Sequence, residues 1–176
     1  IIPYMFSKII SLGVLCLLQS LVLVLVVNAK SPFEHATIFT GSPIIEIYIT
    51  MSLTALSGLM LGLAISAIAP NSDRAMSFVP IILIPQVIFS GIIFPLDNIG
   101  LQFFGAFFAV RWSMAAMGSS IGLHIDKLVP SDGFTYQGTL FSTNDQTTAL
   151  LHLLLIWFVL IAMIVILGYV TAYYLK

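Results

Sequence analysis

The chain has 176 residues, of which 60% are hydrophobic and only 7% charged, and its mean hydropathy is +1.12. A soluble domain carries about 25% charged residues, so this composition excludes a soluble monomer. The formal net charge of −1 gives no electrostatic footprint for nucleic acid, and the single cysteine, Cys16, excludes an intrachain disulfide. The sequence therefore predicts an all-α integral membrane protein.

Four apolar segments are long enough to cross a membrane, since a spanning helix needs about 20 mostly apolar residues. Ser42 and Pro43 are typical of the N-cap and first position of a helix, and they precede the second segment. The predicted transmembrane helices are 9–29, 44–69, 76–94 and 149–175, with short loops at 30–43 and 70–75.

These segments lack a carboxylate near the middle of the membrane. Glu46 lies in the first turn of its segment, where a negative charge suits the helix dipole. A carrier coupled to protons or ions is expected to hold an ionisable group at mid-membrane depth. The sequence therefore favours an external source of energy over secondary transport.

The region between the third and fourth segments, 95–148, predicts a re-entrant element. Residues 99–110 are apolar and aromatic, but twelve residues cannot cross a bilayer as a helix. Together with residues 113–123 they predict a helical hairpin, at about 99–123, that enters the membrane and returns. A polar loop follows it.

Basic residues do not orient the chain. Four spans place both termini on one side of the membrane, and the positive-inside rule compares the two sides. Lys8, Arg74 and Lys176 lie on one side, and Lys30, Arg111 and Lys127 lie on the other. Only if Arg111 belongs to the hairpin does the rule favour the first side as cytoplasmic.

Motifs for catalysis are few. The chain has neither a phosphate-binding loop nor paired Cys/His spacing for a metal, so we expect no catalytic, cofactor-binding or metal-binding residue on it. Gly118 to Gly122 match G-x-S-x-G, which allows an intramembrane serine hydrolase using Ser120 and His152. The favoured interpretation is that these small residues allow a hairpin to turn and pack closely.

Small residues recur at every fourth position of the second segment. Positions i and i+4 share a helical face, and small side chains there let two helix backbones approach closely in lipid. The pattern does not show whether the partner helix belongs to this chain or to a second protomer. The residues are Thr54, Gly58, Gly62 and Ser66.

The third segment holds two prolines. Pro85 lacks an N–H and leaves the carbonyl of Ile81 unpaired, so a kink is expected there, with Gln86 placed to bond the freed backbone. Pro80 is predicted to lie near the helix start. The sequence is consistent with two interpretations: a hinge or cavity-lining helix, and a kinked helix with no moving part.

The order of these features resembles the membrane domain of an ATP-binding cassette exporter of the type-2 permease or White (G-subfamily) group. The most specific part is the run Phe89-Ser90-Gly91-Ile92-Ile93-Phe94-Pro95. The resemblance implies that this chain comprises the last four of the six helices of such a membrane domain. It also implies that residues 1–8 are the tail of a cytoplasmic loop and that 70–75 is cytoplasmic, whereas 30–43 and 95–148 face outward.

The resemblance implies roles for individual residues. Ile92 and Ile93 would form a hydrophobic gate below the outer exit, and Tyr4 and Lys8 would couple to the cassette. The substrate cavity between two protomers would be lined by Pro80, Leu83, Ile84 and Val87.

The resemblance also implies partners. ATP and Mg²⁺ would bind to a fused or separate nucleotide-binding domain, and a second membrane domain would complete a dimer. The apolar lining favours a lipid-like or amphipathic cargo, although the family also includes polysaccharide exporters. The absence of cysteines and of N-x-[ST] sites from the outer loop fits a bacterial inner-membrane protein. A non-transporting membrane assembly subunit is the further alternative.

Overall fold

The computed structural model of the chain describes residues 2–33, 37–38, 42–91, 99–123, 140–143 and 145–175. Within these residues the chain is helical. The helices are α1 (Ile2–Lys30), α2 (Pro43–Ile68), α3 (Ser72–Ile88), α4 (Ile99–Gly105), α5 (Ala109–Ser120) and α6 (Gln146–Tyr174).

Three helices are long and apolar enough to cross a membrane: α1 from Phe6 onward, α2 and α6. The prediction of an all-α membrane protein is confirmed. The third predicted span, 76–94, corresponds to α3, which has 17 residues and ends at Ile88 instead of residue 94. Its length of about 25 Å falls short of a hydrocarbon core of about 30 Å, so the structure does not establish a count of four.

Helix α2 lies at the centre of the bundle, with α1 packed against it on one side and α5 and α6 on the other. The buried apolar cluster lies where α5 and α6 meet. Its large, fully enclosed side chains come from α6, and two buried alanines of α5 allow the close approach: Leu153, Ile156, Leu160, Ala115 and Ala116. Among the described residues, helix α3 packs mainly against α2 and α5, and it has no buried residue.

The helix ends follow local chemistry. Ser42 occupies the N-cap of α2 and Pro43 its first position, as predicted, although the serine side chain makes no capping hydrogen bond. Helix α3 begins at Ser72, after Asn71 at the N-cap. Pro80 is therefore the ninth residue of the helix, and the prediction that it lies near the helix start is wrong.

Helix α5 ends in a Schellman motif. The Leu123 N–H donates to the Gly118 carbonyl at 2.8 Å, and the Gly122 N–H donates to the Ser119 carbonyl at 3.2 Å. Gly122 has a φ of 82°, in the left-handed region that glycine occupies without steric cost.

Candidate functional site

The predicted cavity-lining residues lie on one exposed face of α3. Leu83, Ile84 and Val87 are 51%, 59% and 54% exposed, and Pro80 is exposed beside them. Ile82 and Gln86, on the opposite side of the helix, are partly buried against the bundle. Helix α3 thus presents an apolar face that nothing in the described chain covers.

Both prolines lie inside α3, which continues to Ile88. Each removes one backbone hydrogen bond, so the carbonyls of Met76 and Ile81 lose their helical donors. Gln86 makes no side-chain hydrogen bond to any described residue, and the predicted bond to the freed backbone is not seen. Its amide instead borders a cavity between helices.

A backbone bend and a ring contact define the end of α3. Gly91 follows the helix with a φ of 84°, which favours glycine at this bend. The rings of Phe89 and Phe108 stack with centroids 5.2 Å apart, which connects the end of α3 to the turn between α4 and α5. The predicted gate residues, Ile92 and Ile93, lie outside the described residues.

Helices α4 and α5 lie within the region 99–123 and are joined by a short turn at 106–108, while their entry into the membrane as a hairpin stays a prediction. Side chains of α5 donate to backbone carbonyls of α4 and of the turn. The Trp112 Nε1–H donates to the Ala106 carbonyl at 2.8 Å, and Arg111 Nη1 donates to the Gln102 carbonyl at 3.2 Å. Backbone at membrane depth requires such internal partners, so this turn is chemically equipped to lie inside a bilayer.

Hydroxyl groups connect α2 to both α5 and α6 in the middle of the bundle. The Thr54 Oγ1 bonds to the Ser113 Oγ at 2.7 Å, and the Trp157 Nε1–H donates to the Thr50 Oγ1 at 2.9 Å. Thr50 is fully buried and Ser113 nearly so. In a membrane bundle, interhelical hydrogen bonds of this kind each contribute about 0.6–2 kcal/mol.

The small-residue positions on α2 divide into two groups. Thr54 contacts α5 through its hydroxyl, but a Cβ added at Gly58 or Gly62 meets no described atom within 4 Å. Ser66 is exposed. Close packing of the two glycines within the chain is therefore not observed, and packing across a dimer stays a prediction.

Glu46 has a structural role that its sequence position does not predict. Its carboxylate is fully buried and accepts hydrogen bonds from the backbone N–H groups of Thr37, at 3.0 Å, and Ile38, at 2.8 Å. Thr37 in turn donates from its hydroxyl to the Ser119 carbonyl at 3.3 Å. A carboxylate in the first turn of α2 thereby fixes the preceding loop against the end of α5.

The serine hydrolase alternative requires a contact that the structure lacks. Ser120 is buried, and its Oγ has no hydrogen-bond partner among the described residues; His152 Nδ1 likewise has none there. A serine nucleophile needs a base within hydrogen-bonding distance to activate it. The structure therefore gives no support to a hydrolase at this position.

The start of α6 is polar and lies in water-accessible surroundings. Hydrogen bonds from the hydroxyls of Thr147, at 2.6 Å, and Thr148, at 2.9 Å, hold the pKa of the Asp145 carboxyl below its usual value. Both bonds favour the charged form. A negative charge at the N-terminus of α6 suits the helix dipole and marks this end as facing water.

The remaining predicted residues lie at the other end of the bundle. Lys8 is exposed on the second turn of α1, and the side chain of Tyr4 lies outside the described residues. Across the part of the chain that the structure describes, no three His, Cys, Asp or Glu side chains converge as a metal site would require.

The chain belongs to the ABC-2 type transporter family, whose sequence model matches residues 1–122. It is 30% identical over 129 residues to the ABC transporter ATP-binding/permease protein Rv1747 of Mycobacterium tuberculosis, a match that covers 72% of this chain and 15% of that protein. This chain thus corresponds to a small part of the relative's length. No solved structure matches it significantly.

These matches confirm the family resemblance seen in the sequence. Together with the three apolar helices they identify the chain as a membrane-spanning permease domain of the ABC transporter class.

Proposed function

We propose that this permease domain belongs to an ATP-driven exporter and forms its substrate path and gate by alternating access. The observation that carries the proposal is the uncovered apolar face of α3, comprising Pro80, Leu83, Ile84 and Val87. Facing its equivalent in a second protomer, this face would line a central cavity. Its apolar character favours a lipid-like or amphipathic cargo.

The difference in packing between α3 and the other helices supports movement of α3. Helices α2, α5 and α6 are joined by buried side chains and by the hydroxyl bonds of Thr54 and Thr50. Helix α3 has no buried residue, and two prolines weaken its hydrogen bonding. A helix that packs weakly beside a firm core is suited to shift between inward-facing and outward-facing positions.

The energy source is proposed to be a nucleotide-binding domain, fused or separate, that binds ATP and Mg²⁺. The relative's name joins an ATP-binding part to a permease. The start of α1, with Tyr4 and Lys8, would meet that domain on the cytoplasmic side. In a bacterial cell the protein would lie in the inner membrane.

The proposed topology has four spans and a re-entrant hairpin. Helix α3 would complete its span with residues beyond Ile88, and the α4–α5 turn would lie at the depth of Thr54 and Met163, which border the same cavity as Phe107. Ile92 and Ile93 would then form an apolar gate at the outer end of α3. Such a constriction blocks polar solutes by excluding water.

The gate is tested by replacing Ile92 and Ile93 together with Ala. The complete transporter is reconstituted in vesicles loaded with a polar dye, and dye leakage and basal ATPase activity are measured per folded protein. We expect faster leakage, since a wider constriction admits water, and raised basal ATPase activity. The control replaces Leu154 and Leu155, two exposed neighbours on α6, and should behave as wild type. Wild-type leakage and ATPase activity in the gate variant would refute the assignment.

A further inference from the structure

A half-open cavity of about 330 Å³ lies inside the protomer, bounded by α2, α3, α6 and the start of α5. Ile82 and Gln86 border it from α3, on the side opposite the exposed face of Leu83, Ile84 and Val87. The cavity is therefore separate from the proposed substrate path. Its volume is at the lower end of the range for small-molecule sites, about 300–1,000 Å³.

Three polar side chains of the described residues border the cavity, and two of them already make hydrogen bonds. The Thr54 hydroxyl bonds to Thr50 and Ser113, and the Ser57 hydroxyl donates to the Thr54 carbonyl at 2.8 Å. The Gln86 amide makes no side-chain hydrogen bond to the described residues. This amide is half-buried and borders the cavity, so a ligand that enters the cavity from the membrane can bond to it. In lipid such a bond is favourable, because an amide without a partner there is costly.

The lining restricts the chemistry of that ligand. No charged side chain borders the cavity, and an ion brought there would lose its hydration without a counter-charge. Apolar side chains surround the amide on every bounding helix, including Leu61, Met163 and Ile166. The volume is too small for a phospholipid with two acyl chains.

We propose that this cavity binds a neutral, single-chain amphiphile whose hydroxyl group pairs with the Gln86 amide. The hydroxyl forms one hydrogen bond with the amide, as donor to its oxygen or as acceptor from its nitrogen, and the chain lies along α2 and α6. The bound molecule fills the gap between α3 and the core of the bundle. This assignment is independent of whether the chain transports a substrate.

The test uses a photoactivatable, clickable C16 alcohol on the full transporter in vesicles, with crosslinked residues mapped by mass spectrometry. Competitors of equal length are hexadecanol, hexadecane and hexadecanoate. We expect labels on the cavity residues of α2, α3 and α6, with hexadecanol competing best. Gln86→Leu should reduce the advantage of hexadecanol over hexadecane about threefold to tenfold, which corresponds to the loss of one hydrogen bond.

A pair of glycines on α2 provides the matched variants. Gly58 borders the cavity and Gly62 does not, and a Cβ meets no described atom within 4 Å at either position. Gly58→Leu should fill the cavity and abolish labelling, whereas Gly62→Leu should label as wild type, with both proteins unfolding at the wild-type temperature. Equal competition by hexadecane and hexadecanol in wild type, or undiminished labelling in Gly58→Leu, would overturn the proposal.

Discussion

Gly118 shows how a sequence that matches a catalytic motif serves packing instead. A Cβ at this position would overlap the ring of Phe141, which is buried against the end of α5. Gly122, the second glycine of the motif, supplies the left-handed turn that ends the helix. Both glycines of the G-x-S-x-G pattern are thus explained by backbone and packing requirements, in agreement with the favoured interpretation of the sequence.

Gly118→Ala tests this packing. The added methyl group forces the enclosed Phe141 ring to shift, and overpacking of this kind costs about 1–3 kcal/mol. We expect a lower unfolding temperature in detergent for Gly118→Ala. Gly100→Ala is the control, because a Cβ there meets no described atom within 4 Å. Equal unfolding temperatures for the two variants would show that Phe141 does not constrain Gly118.

The sequence predicts residues with local causes better than residues with distant partners. Pro43 at the start of α2 follows from the fixed φ of proline and its missing N–H. The burial of Glu46 depends on backbone N–H groups of a loop, and the bond from Trp157 to Thr50 joins residues 107 apart in the chain. Neither contact has a local signal, because the first depends on how a loop folds over the start of α2 and the second forms only when α2 and α6 meet.

At the scale of elements, α2 joins the parts of the bundle through its polar face. Thr50 and Thr54 lie one turn apart, so that one contacts α6 and the other α5. The four-residue period of small side chains predicted a packing face, and at Thr54 this face does contact another helix. Beyond Thr54 this contact stops, because α5 begins at Ala109 and is preceded by the α4–α5 turn. The turn and Gly58 border a cavity instead of packing together.

The bond between Thr54 and Ser113 is expected to couple α2 to α5 energetically. Thr54→Val and Ser113→Ala, singly and together, form a double-mutant cycle in unfolding free energy. We expect a coupling of about 0.6–2 kcal/mol, the range for interhelical hydrogen bonds in membranes.

The matched cycle pairs Thr54→Val with Ser66→Ala, an exposed serine three turns along the same face of α2. That pair should be additive, since the two side chains share no partner. Additivity in the Thr54–Ser113 cycle would mean that the hydroxyl contact does not hold the helices together.

Element lengths explain which parts of the fold the sequence could predict. Helices α2 and α6 begin and end within three residues of the predicted bounds, because a continuous apolar run both spans a membrane and forms a helix. Helix α3 differs because its apolar run continues past Gly91, whose positive φ is incompatible with a right-handed helix. The apolar pattern alone does not show where such a helix ends.

At the scale of the whole molecule, polar contacts collect at one end of the bundle. Glu46 at the start of α2 bonds to Thr37, Thr37 bonds to Ser119 at the end of α5, and Ser142 bonds to the Ser119 hydroxyl at 3.2 Å. This end therefore holds the start of α2, the end of α5 and the segment before α6. The opposite end lies about 39 Å away along the 26 residues of α2.

That arrangement predicts the accessibility of two exposed positions. Ser72 begins α3 just after the far end of α2, and Thr143 lies beside the polar end, before α6. We replace Cys16 with Ser and introduce Ser72→Cys or Thr143→Cys one at a time. Since α2 crosses the membrane between the two ends, and since 95–148 faces outward in the proposed orientation, a membrane-impermeant thiol reagent applied to intact cells should label position 143 only. After the membrane is permeabilised, position 72 should label as well, which shows that the thiol there is reactive, and the protein without an added cysteine should stay unlabelled. Labelling of both positions in intact cells would place the ends of α2 on one side and overturn the proposed topology.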